Sequence, residues 1–272
     1  MKNTLNYLFI ILLILILGAC TTSPTGRSQF MMVSPEQAIS ASKEAYIETL
    51  KPFNDKGKID NNPATTRRVK RITGRIISQA IIEYPHTRNW QWSVKVIDDP
   101  DMVNAWCMAG GKMAIYTGLI NKLDVTDDEL AQVMGHEIAH ALANHTAEKM
   151  STQMATQLGI ATVALAMSGS DYSDMALTGA GLAAVMAIEL PNSRVAEIEA
   201  DQMGIELAAK AGYNPNAAAT LWQKMGSVGG ASPPEFFSTH PAPGNRQKTL
   251  RALAPKMMPY YRQKIARPVY PL

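Results

Sequence analysis

Helical spacing of apolar residues dominates the chain. A first helix is predicted from Ser34-Pro35-Glu36 to about Leu50, followed by polar, turn-rich residues at 54–63. A longer helix comes next, and its apolar positions recur three and four residues apart. These positions are Val69, Ile72, Ile76, Ala80 and Ile81. The capping-box sequence Thr126-Asp127-Asp128-Glu129 then begins another helix.

Strand patterns are fewer. Apolar and polar side chains alternate along residues 90–97, which is typical of a strand with one buried face. Two further runs, 104–108 and 112–117, flank Ala109-Gly110-Gly111 and predict a hairpin with a glycine turn. The pattern as a whole predicts a mainly helical α+β fold, with a small antiparallel sheet or hairpin beside the helix that follows Thr126.

Two segments stand apart from this pattern. Between Met150 and Leu190 lie two stretches rich in Ala, Gly, Met and Leu, each near the lower length limit for a membrane span. We favour a soluble or lipid-brushing helical hairpin over a transmembrane pair. Residues 256–272 contain Pro259, Pro268 and Pro271, which predicts an extended tail packed on the surface.

The first twenty residues are typical of a secretory signal. Lys2 precedes an unbroken apolar run at 7–17, and Leu17-Gly18-Ala19-Cys20 follows it. The last four residues resemble a bacterial lipobox, which implies that Cys20 carries lipid and becomes the mature N-terminus. An uncleaved anchor with an incidental cysteine is the alternative. Thr21 occupies a position where inner-membrane retention signals usually have Asp, so the sorting rule for such lipoproteins implies the periplasmic face of the outer membrane.

Composition narrows the possible partners. The chain has 272 residues and a formal net charge of +3, without a strongly basic block, so nucleic acid is not expected to bind. With Cys20 lipidated, Cys107 is the only other cysteine, and no intramolecular disulfide can form. Stability must therefore come from the core, with or without a metal.

The helix after Thr126 contains the motif His136-Glu137-Ile138-Ala139-His140. Residues four apart on a helix are separated by about 40° around its axis, so His136 and His140 can bind one Zn²⁺ ion. Glu137 lies about 100° from His136, beside the metal and free to hold a water molecule. This HExxH pattern is typical of zinc metallopeptidases.

A catalytic zinc needs a third protein ligand. His145 lies about 140° from His140 on a continuous helix, so we expect it to face away from the metal and to be structural. Glu197 and Asp201 share one face of a later helix, from which Glu199 points away. We expect Glu197 to bind zinc and Asp201 to hydrogen-bond the far nitrogen of a ligand histidine.

These motifs resemble the gluzincin metallopeptidase family that includes HtpX, BepA, LoiP and the CAAX prenyl proteases. The resemblance extends over about residues 60–255 and includes Ser238-Thr239-His240-Pro241, Arg246 and the hairpin glycines. The lipobox places the chain nearest LoiP-like periplasmic lipoproteins. The lipobox and the family resemblance together imply four segments. These are a signal peptide at 1–19, a lipidated tether with the first helix at 20–60, a zincin-type peptidase domain at 61–255 and a tail at 256–272.

The resemblance also implies a mechanism. One zinc ion per chain activates water, and Glu137 transfers the proton. His240 stabilises the oxyanion or caps the metal, and a purely structural role for it is the alternative. Substrate adds as an extended strand to the hairpin edge. That edge comprises Asn104, Ala105, Trp106, Cys107 and Met108. Unfolded or misassembled envelope proteins are the expected substrates, and the sequence does not predict the oligomeric state.

Two other functions compete with this hypothesis. One is a zinc-stabilised chaperone or assembly factor at the outer membrane, with an idle or gated protease site. Glu137 disfavours it, because a structural zinc needs no base and usually has four protein ligands. The other is a membrane-integral protease resembling the prenyl-protease branch, for which the apolar stretch after Met150 would have to span the bilayer.

Overall fold

The computed structural model describes residues 20–166, 190–228, 235–240 and 245–272. The predicted signal peptide at 1–19 and most of the apolar stretch between Met150 and Leu190 lie outside these residues. Among the described helices, none combines the length and apolar character needed to cross a membrane.

Helices make up most of the described chain, which confirms the predicted mainly helical α+β fold. The strands are β1 (Cys20–Thr22), β2 (Ser28–Phe30), β3 (Ser93–Ile97), β4 (Ala105–Met108) and β5 (Lys112–Tyr116). The first helices are α1 (Pro35–Asn54), α2 (Pro63–Glu83), α3 (Thr117–Lys122), α4 (Asp127–Leu142) and α5 (His145–Ala166), with a short 3-10 helix at Pro85–Asn89. The later ones are α6 (Leu190–Lys210), α7 (Ala217–Val228), α8 (Glu235–Thr239) and α9 (Arg246–Tyr261).

Strands β3, β5 and β4 form one sheet in that order. The predicted β4–β5 hairpin is present and antiparallel, with Gly110 and Gly111 at φ of 76° and 77° in its turn. The sheet is not wholly antiparallel, however, because β3 pairs with β5 in parallel. The 98–104 connection crosses the carboxyl end of β5, where Gly118 N–H donates to the Asp99 carbonyl. This crossing places β4 on the far side of β5 and leaves it at the sheet edge.

Helix α4 lies at the centre of the molecule. Thirteen of its sixteen residues are buried, so it differs from a surface helix with a single apolar face. It packs against α2, α6, α7 and β4. Its N-terminus has the predicted capping box: the Thr126 hydroxyl accepts from Glu129 N–H, and the Glu129 carboxylate accepts from Thr126 N–H.

Helices α4 and α6 touch through their backbones. A Cβ atom on Gly204 would lie 2.7 Å from the backbone nitrogen of His136, and one on Gly135 would lie 2.7 Å from the Gly204 carbonyl oxygen. Real Cβ contacts are longer than this, so only glycine fits at both positions. The close approach sets the HExxH helix directly beside the helix that carries Glu197 and Asp201.

The predicted tether is an ordered hairpin. Strands β1 and β2 pair antiparallel, with Cys20 opposite Phe30. Gln29 is buried, and its amide donates to the Ala143 carbonyl at 2.7 Å and to Glu148 Oε2 at 2.9 Å. Both partners are more than a hundred residues away along the chain. The prediction of a flexible linker considered only the small polar residues of the segment itself, so it missed these contacts.

The predicted C-terminal tail begins later than residue 256. Helix α9 continues through Pro255 and Pro259 to Tyr261, and only the following residues are extended. Each proline removes one helical N–H, but Leu250 and Ala254 pack into an apolar cluster with Ile205 that holds the helix on α6. The extended end then packs along α2, where Tyr270 N–H donates to the Gly74 carbonyl.

We predict that Gly204→Ala lowers the free energy of unfolding of the metal-free protein by about 1–3 kcal/mol, because α4 and α6 must separate to admit the methyl group. Urea denaturation measures this. Gly226→Ala, in α7, is the matched control, because a Cβ there meets nothing within 4 Å and should leave stability equal or slightly raised. Equal stability of the two variants would contradict the packing argument.

Candidate metal centre

Four side chains from three separate elements meet beside the α4–α6 contact. His136 and His140 come from α4, Glu197 from α6, and His240 from the residue after α8. One potential ligand atom from each lies within 4.8 Å of every other. The structure therefore brings together all three residues expected to bind metal, and it adds His240 to them.

The distances fit a tetrahedral metal ion. The two histidine Nε2 atoms are 3.0 Å apart, and the Glu197 carboxylate oxygens lie 3.3 Å from each of them. Two ligand atoms bound to zinc at about 2.0–2.1 Å in tetrahedral geometry are separated by about 3.3 Å. Imidazole nitrogens with one carboxylate are also the ligand chemistry that zinc accepts in hydrolases. The residues thus fit the expected ion.

Asp201 and Arg246 hold this ligand set from behind. Asp201 Oδ1 lies 3.2 Å from His136 Nδ1, the nitrogen that faces away from the other ligands. Arg246 donates to Glu197 Oε2 at 3.0 Å and to Asp201 Oδ1 at 2.6 Å, and its guanidinium stacks 3.9 Å from the Trp222 ring centre. The sequence contained Arg246 within a motif but did not predict this bridging position.

Burial and charge shift the ligands in different directions. Burial lowers the pKa of His140 well below its usual value. Burial and Arg246 also oppose protonation of His136, but hydrogen bonds with Asp201 and Glu197 outweigh them and raise its pKa to about 9. Although burial favours its neutral form, Glu197 keeps a pKa far below normal, chiefly through His140 and His136. Metal binding through Nε2 requires the neutral form of His136.

Glu137 faces the cluster without being part of it. Its side chain is buried, and among the described residues Oε1 has no hydrogen-bond partner. His240 Nε2 lies 3.4 Å from that oxygen, close enough for charge interaction but not in hydrogen-bond geometry. Burial raises the pKa of Glu137. An unpaired buried carboxylate oxygen beside a metal-ligand set is suited to hold a water molecule.

His240 covers the remaining side of the ligand set. Its ring stacks on Phe236 at 4.4 Å between ring centres, and its Nδ1 lies 3.1 Å from Glu197 Oε1. The same nitrogen is 3.4 Å from His136 Nε2. The ring therefore lies within reach of both the ligands and Glu137.

Strand β4 contains four of the five residues predicted to bind substrate. Ala105, Trp106, Cys107 and Met108 form the strand, and Asn104 precedes it. It is an edge strand, and it packs against α4. Burial, followed by the charge of Glu137, raises the pKa of the Cys107 thiol.

Comparison with known proteins agrees with this arrangement. The sequence profile of peptidase family M48 matches residues 63–254, which include all the residues of the centre. The chain belongs to peptidase family M48. The predicted resemblance to HtpX- and BepA-like gluzincins is thereby confirmed, and a metalloprotease is confirmed at the level of the family.

Several characterised relatives of this M48 chain are named as endopeptidases. It is 38% identical over 173 residues to mitochondrial metalloendopeptidase OMA1 of Arabidopsis thaliana, covering 64% of this chain and 34% of that protein. Human OMA1 is 32% identical over 243 residues, or 86% of this chain and 45% of that protein. The beta-barrel assembly-enhancing protease of Escherichia coli is 30% identical over 206 residues, 73% and 41% respectively. The chain thus spans less than half the length of each.

In this M48 chain, His145 lies closer to the metal-ligand set than its spacing from His140 predicted. The continuous helix assumed for the angle ends near Leu142, and Asn144 adopts a left-handed φ of 55°. The turn brings His145 Nδ1 to 2.8 Å from His140 Nδ1. Glu199, which does point away from the ligand face, contacts the other nitrogen of His145 at 3.1 Å.

We predict that Arg246→Leu destabilises the metal-free M48 chain by about 3–5 kcal/mol, because two buried carboxylates lose their cation. The free energy of unfolding in urea measures the effect. Arg251→Leu, on the exposed side of the same helix, is the control and should change stability by less than about 0.5 kcal/mol. Similar losses in both variants would show that the buried bridge has no special weight.

Proposed function

We propose that this M48 chain is a zinc-dependent endopeptidase that cleaves unfolded or misassembled proteins of the bacterial cell envelope. The observation that carries the proposal is the convergence of His136, His140 and Glu197 beside the unpaired carboxylate oxygen of Glu137. Three ligands with a base at their side are the requirements of hydrolysis at a metal, and a purely structural site needs no base.

His136, His140 and Glu197 would hold the ion, and Asp201 would fix the ring of His136 through Nδ1. A zinc ion held there would lower the pKa of a bound water and polarise the scissile carbonyl. Glu137 takes a proton from the attacking water at Oε1 and passes it to the leaving amine nitrogen, so the carboxylate is regenerated. Its raised pKa suits a group that must both accept and release that proton.

His240 covers the side from which substrate must approach. Its contact with Glu197 supports the capping role over the oxyanion role in this conformation. We propose that the ring moves off Glu197 when substrate enters. We propose that the displaced ring then donates a hydrogen bond to the carbonyl oxygen, because its Nε2 already lies 3.4 Å from Glu137 Oε1, beside the base.

The free edge of β4 supports binding of an extended substrate. Tyr116 N–H donates to the Asn104 carbonyl. The backbone N–H and carbonyl groups of even-numbered β4 residues therefore point to β5, and those of odd-numbered residues point outward. The outward carbonyl of Val103 already accepts from Phe236 N–H, and the Asn104 side chain accepts from Ala105 N–H. The Cys107 N–H and carbonyl are directed to the edge, where a substrate strand would pair with them.

Recognition through backbone groups favours substrates by conformation over sequence. A folded domain seldom offers an unpaired extended segment, whereas an unfolded or misassembled chain does. The name of the Escherichia coli relative, a beta-barrel assembly-enhancing protease, supports an envelope setting. The lipobox-like Cys20 supports attachment to the outer membrane, although the OMA1 relatives are mitochondrial.

We predict that Glu137→Gln lowers kcat/KM for an unfolded test protein by at least about 100-fold while leaving one zinc ion per chain, because the amide cannot accept the proton. Metal analysis and a cleavage assay measure the two quantities. Glu48→Gln makes the same change on an exposed residue of α1 and should alter neither. A zinc-stabilised chaperone would instead show no zinc-dependent cleavage in the unaltered chain, and cleavage that survives in Glu137→Gln would exclude Glu137 as the base.

We predict that Cys107→Pro reduces kcat/KM for an extended peptide by about 2- to 13-fold, because proline removes an outward N–H worth about 0.5–1.5 kcal/mol in a hydrogen bond. Proline is tolerated on edge strands whose N–H faces outward, so β4–β5 pairing should persist. Cys107→Ala removes the thiol but keeps the N–H, and it should cleave as the unaltered chain does. Equal losses in both variants would assign the effect to the side chain and contradict strand addition.

A further inference from the structure

His140 is joined to a buried run of polar side chains that ends in the N-terminal hairpin. Its Nδ1 lies 2.8 Å from His145 Nδ1, and His145 Nε2 lies 3.1 Å from Glu199 Oε2. Arg27 Nε donates to the same Glu199 oxygen at 2.8 Å, and the Thr25 hydroxyl donates to the other at 2.6 Å. Residues from α4, α5, α6 and the β1–β2 loop are thus connected by successive hydrogen bonds.

The protons on this run have one arrangement compatible with metal binding. His140 Nε2 faces Glu197 and must present a lone pair to the ion, so its proton is on Nδ1. That proton is donated to His145 Nδ1, which must then be the acceptor. His145 therefore carries its own proton on Nε2 and donates it to Glu199. A cationic His145 would donate from both nitrogens and would leave His140 with its proton on the ligand atom.

Glu199 is held as a carboxylate by the N-terminal hairpin. Only 3% of its surface is exposed. Both of its oxygens accept hydrogen bonds from the hairpin, Oε1 from the Thr25 hydroxyl and Oε2 from the Arg27 guanidinium, whose positive charge pairs with the carboxylate. Arg27 is itself fixed by two further hydrogen bonds of 2.6 Å to the Glu148 carboxylate. The acceptor at the end of the run therefore has a defined charge and orientation.

Each of the two ligand histidines is connected to a carboxylate through its Nδ1. His136 has a carboxylate directly behind it, in Asp201. His140 reaches its carboxylate, Glu199, through the ring of His145. Carboxylates behind metal-binding histidines fix the tautomer and increase the basicity of the ligand nitrogen, and their loss typically weakens metal binding by about 10- to 100-fold.

We propose that His145 and Glu199 are positioning residues for the metal centre, and that the β1–β2 hairpin completes them through Arg27. The inference rests on the proposed zinc site. It assigns a role in metal binding to a segment that precedes the M48 match at residue 63 and contributes no ligand.

The decisive comparison is between Glu199→Gln and Glu148→Gln. Both glutamates are buried and both bind Arg27, but only Glu199 contacts His145. We expect Glu199→Gln to raise the zinc dissociation constant of the full-length chain by about 10- to 100-fold, and Glu148→Gln by less than about 3-fold. Competition with a fluorescent chelator measures both constants, with zinc as the only probe.

If Glu199 only held the hairpin in place, the two variants should be affected equally, because each substitution removes one carboxylate charge that faces Arg27. Equal dissociation constants for Glu199→Gln and Glu148→Gln would therefore overturn the inference while leaving the zinc site intact. Failure of the unaltered chain to bind one zinc ion would overturn the proposed function and the inference together.

A double-mutant cycle tests the connection itself. His145→Phe keeps a planar ring but removes both nitrogens, so zinc binding should weaken as in Glu199→Gln. If the two residues act through one run of hydrogen bonds, the combined variant should bind zinc no more weakly than His145→Phe alone. Additive losses would contradict the connection. Nitrogen-15 NMR of the zinc-loaded chain should show His145 protonated on Nε2, and protonation on Nδ1 would exclude the proposed direction.

Discussion

Backbone contact between α4 and α6 is the constraint on which the metal centre depends. Helices packed through larger side chains lie about 8–10 Å apart, too far for an aspartate to reach across easily. At Gly135 and Gly204 the two backbones touch. Asp201, one turn before Gly204, can then contact His136, and Glu197, one turn earlier, can face both histidines. The ligand geometry is therefore a property of the helix pair.

Concentrating so many ionisable groups in the core requires matched charges. Each of two arginines binds a pair of buried carboxylates on a different side of the centre. Arg246 joins Glu197 to Asp201, and Arg27 joins Glu199 to Glu148. A guanidinium offers its donors in a fixed planar fork, so one residue can orient two carboxylates. Removing one partner of such a buried pair leaves an uncompensated charge, so each arginine and its carboxylates depend on one another.

What could be predicted from sequence was local. HExxH and Glu197-x-x-x-Asp201 each fit within two helical turns, and the β4–β5 hairpin is contiguous, so periodicity and spacing suffice for them. The parallel pairing of β3 depends on a loop crossing, and the position of His145 on a single left-handed residue, Asn144. Neither has a periodic signal.

Contacts between distant segments account for the other differences. Arg27 and Glu199 are 172 residues apart, and each looks like ordinary surface when read alone. The continuation of α9 through Pro255 and Pro259 likewise depends on packing against α6, which outweighs the local preference of proline to end a helix. A single sequence carries the composition of such segments but not their partners.

The docking of the N-terminal hairpin also fixes how far Cys20 lies from the metal centre. A flexible linker of ten residues would let the body move through a root-mean-square reach of about 18 Å from its attachment point. The hairpin removes that freedom, because Cys20 is already paired with Phe30 and the adjoining residues are bound to the core. A lipid on Cys20 would hold the catalytic centre at a nearly constant height above the membrane. Only polypeptides that come to that layer would be within its reach.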